Sequence, residues 1–151
     1  MAAATRAPAT GAGTRTDIGY LLAKASQHWN DLLAEAFRRR GHGDVRPSYG
    51  SVLVPLFEDD GLRMTELAAR AHLAKQTMTT MVRLVEEAGL VRRRPDPEDA
   101  RATRVHLTAR GKRFQPVAAR ELVRLEERIT ARHGQRRTAA LRASLTQLLE
   151  A

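Results

Sequence analysis

The polar residues between positions 75 and 83 are of types that form specific contacts with base edges in DNA. A glutamine amide pairs bidentately with adenine, a lysine ammonium donates to guanine, and a threonine methyl packs on thymine. At helical spacing these side chains lie opposite the apolar residues Met78, Val82 and Val85. An ordinary solvated helix face has the same pattern, and this segment alone does not decide between the two interpretations. The candidate DNA-contacting residues of this helix are Lys75, Gln76, Thr77, Thr79, Thr80 and Arg83.

Two β-prone segments follow this helix, at residues 91–94 and 102–107, and a linker that begins Pro-Asp-Pro connects them. Along the second segment, Val105 and Leu107 alternate with polar residues. This period of two is typical of a half-buried strand. The sequence therefore predicts a β-hairpin directly after the helix, which is the arrangement of a winged helix-turn-helix.

The tip of this hairpin carries Asp96, Glu98 and Asp99, which phosphates would repel. We expect Asp99 to hold the guanidinium group of Arg101 in a bidentate pair and so to fix its direction. Arg101 could then enter a narrow minor groove, where negative potential is focused. The residues expected to contact phosphates, with salt-dependent and sequence-independent affinity, are Arg92, Arg93 and Arg94.

The charge of the chain agrees with a polyanionic partner. There are 26 Lys and Arg residues against 17 Asp and Glu residues, a formal net charge of +9. Eight of the basic residues and three of the acidic ones lie between positions 90 and 113, so over half of the excess is concentrated in this region. Such a patch favours association with nucleic acid, although charge alone says nothing about the fold.

The composition also excludes several kinds of site. The chain has no cysteine, which rules out disulfides, thiolate metal sites and thiol-based redox sensing. No apolar run approaches the roughly 18 residues that span a bilayer. Residues 1–15 lack the apolar centre of a secretory signal and are predicted to form a disordered tail. We therefore expect a cytoplasmic protein with no membrane partner.

Helices are predicted on the N-terminal side of this region. Apolar residues recur every three or four positions from residue 17 to residue 40, which predicts a helix capped by Thr16 or Asp17. A helix of about 24 residues spans roughly 35 Å, longer than a small domain needs, so we expect a second copy of the chain to cover part of its apolar stripe. A further helix is predicted to begin at Pro47, and Thr65 is predicted to cap a third.

Two more helices are predicted after the hairpin. Thr108 can cap a long helix that runs to about residue 132, and Gly134 would end it. Pro116 falls in the early part of this segment, so we expect a kink there or a helix that begins near it. A last helix follows, with leucines spaced along one side.

Several short motifs in the central part of the chain are shared with a known family. The Asp-x-Arg element of the hairpin, with Leu-Thr six and seven residues after the arginine, is quite specific. The motifs are Glu66-Leu67-Ala68, the block from Glu86 to Arg93, the segment from Pro95 to Arg101, and Leu107-Thr108 followed by Gly111. On these residues the sequence resembles the MarR family of bacterial transcriptional regulators.

The resemblance implies a mainly α fold with a small β-hairpin wing, in which helical dimerisation arms from both termini flank a winged helix-turn-helix core. It also implies a homodimer that binds double-stranded DNA at a pseudo-palindromic operator, most often as a repressor, and no cofactor. The predicted division is a tail at 1–15, an N-terminal dimerisation helix at 16–45, a winged helix-turn-helix unit at 46–108, and C-terminal dimerisation helices at 109–151.

Four residues depart from the family's habits, and one of them is Arg46, which replaces the threonine that often caps the helix beginning at Pro47. His72 stands where glycine is usual in the turn, so a non-glycine residue is expected to adopt a left-handed backbone. Ala74 replaces the polar cap before the base-contacting helix, at a cost of about 1 kcal/mol of capping. Thr80 stands where Arg or Lys is common, which leaves the preferred bases open.

By resemblance, a small aromatic and acidic ligand would release the DNA from a pocket between the arm and the winged helix-turn-helix unit. The candidate lining residues are His28, Trp29 and Tyr49. The competing interpretation is that Trp29 is a core residue and that His28 lies on the flank of its helix.

Three other classes of protein fit the sequence less well than a DNA-binding regulator does. No Ser-His-Asp spacing, glycine-rich phosphate loop or paired carboxylates indicate an enzyme. A zinc-responsive regulator of the same fold would need ligands from distant segments, because the five histidines are dispersed. A non-specific basic nucleic-acid-binding protein would fit the charge, but it would not need an aspartate beside the arginine of the wing.

Overall fold

The computed structural model describes residues 15–151. Apart from residue 15, the predicted disordered tail lies outside the described residues. Six α-helices, three strands and one 3-10 turn (Pro47–Tyr49) make up the described part of the chain, which is mainly helical with one small sheet, as predicted. The elements are α1 (Ile18–Arg39), α2 (Gly50–Glu58), β1 (Leu62–Arg63), α3 (Met64–Arg70), α4 (Lys75–Glu87), β2 (Val91–Pro95), β3 (Thr103–Leu107), α5 (Ala109–His133) and α6 (Gln135–Glu150).

Helix α1 begins where the sequence predicts. The Asp17 carboxylate caps it by accepting a hydrogen bond from the backbone N–H of Tyr20 at 2.9 Å. Only the C-terminal half of α1 contributes buried side chains, Leu33 and Phe37. The Phe37 ring packs edge-on against Phe114 of α5, with 4.9 Å between the ring centroids. This contact holds the end of α1 to the beginning of α5.

A second link between α1 and α5 is ionic. Glu121 is a buried carboxylate on α5, and its Oε1 lies 2.9 Å from Nε of Arg40, the residue that ends α1. Arg124, one turn further along α5, approaches the same oxygen at 2.7 Å. A buried carboxylate needs such partners, because an unpaired charge out of water is costly.

The winged helix-turn-helix unit packs around one apolar core. The helix predicted at Pro47 starts as the 3-10 turn and continues as α2. Residues of α2, α3, α4 and both strands of the hairpin are buried together. The most deeply buried side chains of this unit are Val52, Leu56, Leu67, Met78, Val82, Val85, Leu90, Val91 and Val105.

The sheet has one strand more than predicted. The predicted hairpin is present, with Arg92 opposite His106 and Arg94 opposite Arg104. The additional strand β1 pairs antiparallel with β3, so that the order is β1-β3-β2. Because β1 leads directly into α3, the N-cap of α3 is Arg63. The prediction that Thr65 caps this helix is wrong, since Thr65 lies in its first turn.

The turn between α3 and α4 has the two departures that the sequence predicts. His72 has a φ of 53°, in the left-handed region that a glycine would occupy without strain. The Leu73 N–H donates to the carbonyl of Ala68 at 3.0 Å, which closes the turn. Ala74 is the N-cap of α4 and provides no side-chain acceptor.

The last two helices form the C-terminal arm. Thr108 caps α5 as predicted, accepting from the N–H of Gly111 at 3.1 Å. Helix α5 begins at Ala109 and continues through Pro116 to His133, so the alternative of a helix that begins near Pro116 is wrong. Helix α6 follows Gly134, and none of its residues is buried. Within residues 15–151, no helix is both long and apolar enough to cross a bilayer.

Candidate nucleic-acid interface

Helix α4 presents a continuous polar face to solvent. All six predicted DNA-contacting residues are exposed, whereas Met78, Val82 and Val85 on the opposite side are buried in the core. At about 100° per residue, Lys75, Gln76, Thr79, Thr80 and Arg83 lie within one arc of less than half a turn, and Thr77 lies on its flank. The structure therefore brings the predicted residues of α4 together on one surface.

The two central threonines of this face present their methyl groups. The hydroxyl of Thr79 donates to the carbonyl of Lys75 at 2.9 Å, and that of Thr80 donates to the carbonyl of Gln76 at 3.2 Å. Each hydroxyl is thus occupied by the preceding turn of its own helix. What remains for a partner is an apolar surface, which suits the methyl group of thymine.

Arg110 of α5 supports the other end of α4. Its guanidinium donates to the carbonyl of Ala88, the residue that ends α4. It also donates to Oδ1 of Asp44, before α2, at 2.7 Å. This bond holds the pKa of Asp44 below its usual value. One side chain therefore joins α4, α5 and the loop after α1, which sequence inspection missed because Asp44 and Arg110 lie far apart in the chain.

One of the three acidic residues of the wing tip does not face solvent. Asp96 is buried, and its Oδ2 lies 2.6 Å from Nε of Arg63 and 3.1 Å from Nε of Arg104. Its Oδ1 accepts from the backbone N–H of Glu98 at 2.9 Å. That hydrogen bond, with the charges of Arg104 and Arg63, keeps the pKa of Asp96 below its usual value. Asp96 is therefore a structural residue that ties the wing to β1.

The predicted ion pair between Asp99 and Arg101 is absent from the described residues. Asp99 instead accepts a hydrogen bond at 3.0 Å from the backbone N–H of Arg101, two residues ahead. Its carbonyl accepts from the N–H of Ala102, also at 3.0 Å. Aspartate commonly closes such a turn on its own backbone, because its short side chain reaches no further. Asp99 thus shapes the loop, and the exposed Arg101 side chain is left without an ionic partner in this structure.

The three consecutive arginines of β2 do not share one role. Arg93 lies on the same side of the hairpin as α4, where Glu86 accepts from its backbone N–H at 2.7 Å and from its Nε at 3.0 Å. The backbone bond from Arg93 is also the main cause of the lowered pKa of Glu86. Arg92 and Arg94 are exposed on the other face of the strand. Arg93 is therefore paired with Glu86 in this structure, and the phosphate contacts expected of the three arginines stay predictions.

The three candidate ligand residues have different environments. Tyr49 is buried in the core, Trp29 is partly buried against the same core, and His28 is exposed. Within residues 15–151, no group of three His, Asp or Glu side chains is placed to hold a metal ion.

Comparisons with known proteins agree with this geometry. The sequence model of the MarR family matches residues 47–103. The HTH-type transcriptional regulator TtmR of Methylorubrum extorquens is 36% identical over 71 residues, which is 47% of this chain but only 36% of that relative.

Solved structures extend the likeness to the arms. The repressor CouR bound to a 23-mer DNA duplex superposes with a TM-score of 0.75 at 25% identity, covering 87% of this chain and 92% of that one. The MepR–DNA complex of S. aureus superposes with a TM-score of 0.76 at 20% identity, covering 90% of this chain and 98% of that one. The second likeness shows the fold alone.

Proposed function

We propose that the chain is a member of the MarR family, which its match to the family over residues 47–103 supports, and that it is a cytoplasmic transcriptional repressor that binds a pseudo-palindromic operator as a homodimer. The observation that carries the proposal is the exposed polar face of α4 beside a hairpin whose tip presents Arg101. In this arrangement α4 is the recognition helix in a major groove, and Arg101 enters the adjacent minor groove. The presence of DNA in the CouR structure, which shares this fold, supports DNA as the partner.

The homodimer is supported by apolar side chains that the single chain leaves in water. Helix α6 buries none of its residues, and an isolated helix of its length is marginal without packing. A second copy that covered these side chains would place the two recognition helices about 34 Å apart, one turn of DNA. The exposed apolar residues of the arms are Ile18, Leu21, Leu122, Val123, Leu141, Leu145, Leu148 and Leu149.

A small aromatic acid is the proposed effector, by resemblance to the family. Of the three residues assigned to its pocket, Tyr49 already serves the core, which leaves Trp29 and His28 of α1 as the candidates for contact. No observation in the described residues favours the zinc-responsive alternative.

Selection of bound sequences from random duplex DNA tests the proposed function. We expect two inverted half-sites whose centres are separated by about one helical turn of 10 base pairs. Recovery of a single half-site, or of no common sequence, would contradict a dimeric, sequence-specific regulator.

Replacing Gln76 with alanine is expected to relax the base preference at one position of each half-site. The amide of Gln76 is exposed at the start of α4, and a good bidentate contact with adenine discriminates by about 1 to 3 kcal/mol. Arg83→Ala is the matched comparison, because Arg83 is exposed and has no ion pair among residues 15–151. It should weaken binding to all sequences alike and flatten the salt dependence by about one unit. Competition binding with single-base operator variants distinguishes the two effects, and uniform weakening by Gln76→Ala would refute its assigned role.

Replacing Leu141 with aspartate is expected to weaken dimerisation at least about ten-fold, because two unpaired carboxylates would enter the proposed interface. Light scattering coupled to size-exclusion chromatography measures the mass over a range of protein concentrations. Val54→Asp is the control, since Val54 is 49% exposed against 54% for Leu141 but lies on α2, away from both arms. A dimer that tolerates Leu141→Asp as well as Val54→Asp would disprove the assignment of α6 to the interface.

A further inference from the structure

The outer face of the wing carries basic residues that differ from those near the recognition helix. Successive side chains of a strand point to opposite faces, so Arg92 and Arg94 point away from Arg93 and from its partner Glu86 on α4. On β3, His106 lies directly opposite Arg92. The two faces therefore carry different side chains, and only Arg92 of the outer face also lines a neighbouring cavity that includes Glu86.

A cavity of about 390 Å³ lies where this outer face meets the beginning of α5. Lys112, in the first turns of α5, contributes a third permanent positive charge. Asp60, in the turn after α2, contributes the one carboxylate. The polar lining residues are Asp60, Arg92, Arg94, His106, Thr108 and Lys112.

The cations of this cavity have no ionic partners in the described part of the chain. Arg92, Arg94 and Lys112 each lie beyond 4 Å of every carboxylate there, whereas neighbouring arginines of the same sheet, Arg63 and Arg104, are both paired with Asp96. The carboxylate of Asp60 accepts hydrogen bonds from the backbone and from none of these cations.

The Oδ1 atom of Asp60 accepts hydrogen bonds from the backbone N–H of Gly61 at 2.9 Å and from that of Leu107 at 2.8 Å. Asp60 is thereby held against the backbone at the edge of the sheet. Three positive charges thus line one concavity against a single carboxylate, and an anion would relieve this excess of positive charge.

We propose that this cavity binds a small multivalent oxyanion of the phosphate class. Arginine presents a planar fork that matches two phosphate oxygens, and lysine supplies a compact point charge. A free anion suits the position better than the phosphates of the operator, because no residue of α4 lines the cavity. It also lies at the base of the wing, since Arg92 is three residues, or about 10 Å, before the strand ends at Pro95.

Calorimetric titration of the full chain with pyrophosphate, at constant ionic strength and without DNA, tests the proposal. We expect Lys112→Gln to weaken pyrophosphate binding by about five-fold to ten-fold, the usual effect of losing a charge-assisted hydrogen bond. Arg113→Gln is the matched control, because this adjacent exposed residue carries the same charge but does not line the cavity. Its effect should stay within about two-fold. Arg94→Gln should reproduce the loss seen with Lys112→Gln.

Two results would overturn the inference. One is a dissociation constant weaker than about 10 mM for the unmodified protein, and the other is an equal loss with Lys112→Gln and Arg113→Gln, which would indicate only the general charge of the chain. A second experiment measures the operator affinity of the variants used in the titration. Lys112→Gln should leave the operator affinity unchanged. A loss of operator affinity parallel to the loss of pyrophosphate binding would show that the cavity holds a DNA phosphate and not a free anion. Because the calorimetric titration contains no DNA, its result does not depend on the proposed regulatory function.

Discussion

Replacing Gly111 with alanine is expected to lower the free energy of unfolding by about 2 to 3 kcal/mol, which is the cost of overpacking a close contact. A β-carbon at position 111 would lie 2.2 Å from the carbonyl oxygen of Leu90 and 3.2 Å from Cδ2 of Leu107. The Leu90 carbonyl cannot easily move, because it accepts the hydrogen bond from Thr108 N–H at 3.0 Å that joins the wing to α5. Thermal or denaturant unfolding would measure the loss.

The gain in helix stability from replacing glycine with alanine opposes this loss, but it is smaller. Alanine gains about 0.5 to 1 kcal/mol over glycine inside a helix, so the steric term dominates at position 111. Gly50→Ala provides the control, since Gly50 is also helical, with a φ of −55°, and its β-carbon would meet only Val54 Cγ2, at 3.9 Å. Gly50→Ala should be neutral or slightly stabilising. Equal stability of the two variants would show that Gly111 has no packing role.

Replacing Arg101 with alanine is expected to weaken operator binding by about ten-fold or more, equivalent to at least about 1.4 kcal/mol, while the dimer remains intact. Arg101 is exposed at the wing tip and has no ionic partner in the part of the chain that the structure describes. Its removal therefore costs the fold little. Fluorescence anisotropy with the selected operator gives the affinity, and light scattering confirms the dimer. An unchanged affinity would exclude the proposed minor-groove contact.

Two substitutions at Asp99 separate the observed turn from the expected ion pair. Asparagine can still accept the hydrogen bond from the Arg101 backbone, so Asp99→Asn should retain most of the operator affinity. Asp99→Ala removes the acceptor and should weaken binding, because the tip loses its fixed conformation. If Asp99→Asn were as harmful as Arg101→Ala, a charge pair formed in the complex would be the better explanation.

The helices, the hairpin and the polar face of α4 could be predicted because each has its own periodicity. Met78, Val82 and Val85 recur at helical spacing, and polar and apolar residues alternate around Val105. These short-range patterns correctly predict which side chains are buried. The strained turn was also predictable, because His72 occupies a position where the family favours glycine.

The partners of charged side chains could not be predicted in the same way. Asp96 is held by Arg63, 33 positions earlier in the chain, and Arg110 finds Asp44 across 66 positions. The sequence has more arginines than carboxylates, and which of them form ion pairs depends on the tertiary structure. The assumed pair of Asp99 with Arg101 failed for this reason, because a nearer backbone N–H was available.

Short elements also escaped prediction. A strand of two residues such as β1 has no period, and its pairing with β3 depends on the course of α2. Once β1 exists, α3 begins one residue after Arg63, and Thr65 is too far into the helix to cap it. Sequence patterns place long elements well but leave their ends to tertiary contacts.

The uncapped start of α4 has a consequence for the free protein. With Ala74 as N-cap, the first N–H groups of the helix receive no acceptor from that side chain. In the proposed complex, a DNA phosphate at this end would accept them, as anions commonly do at helix N-termini. The chain would then recover on DNA the roughly 1 kcal/mol that a serine or aspartate cap would have given it alone. The first turn is already helical in the free chain, so binding of the operator would add stability to it and would link the strength of recognition to the stability of α4.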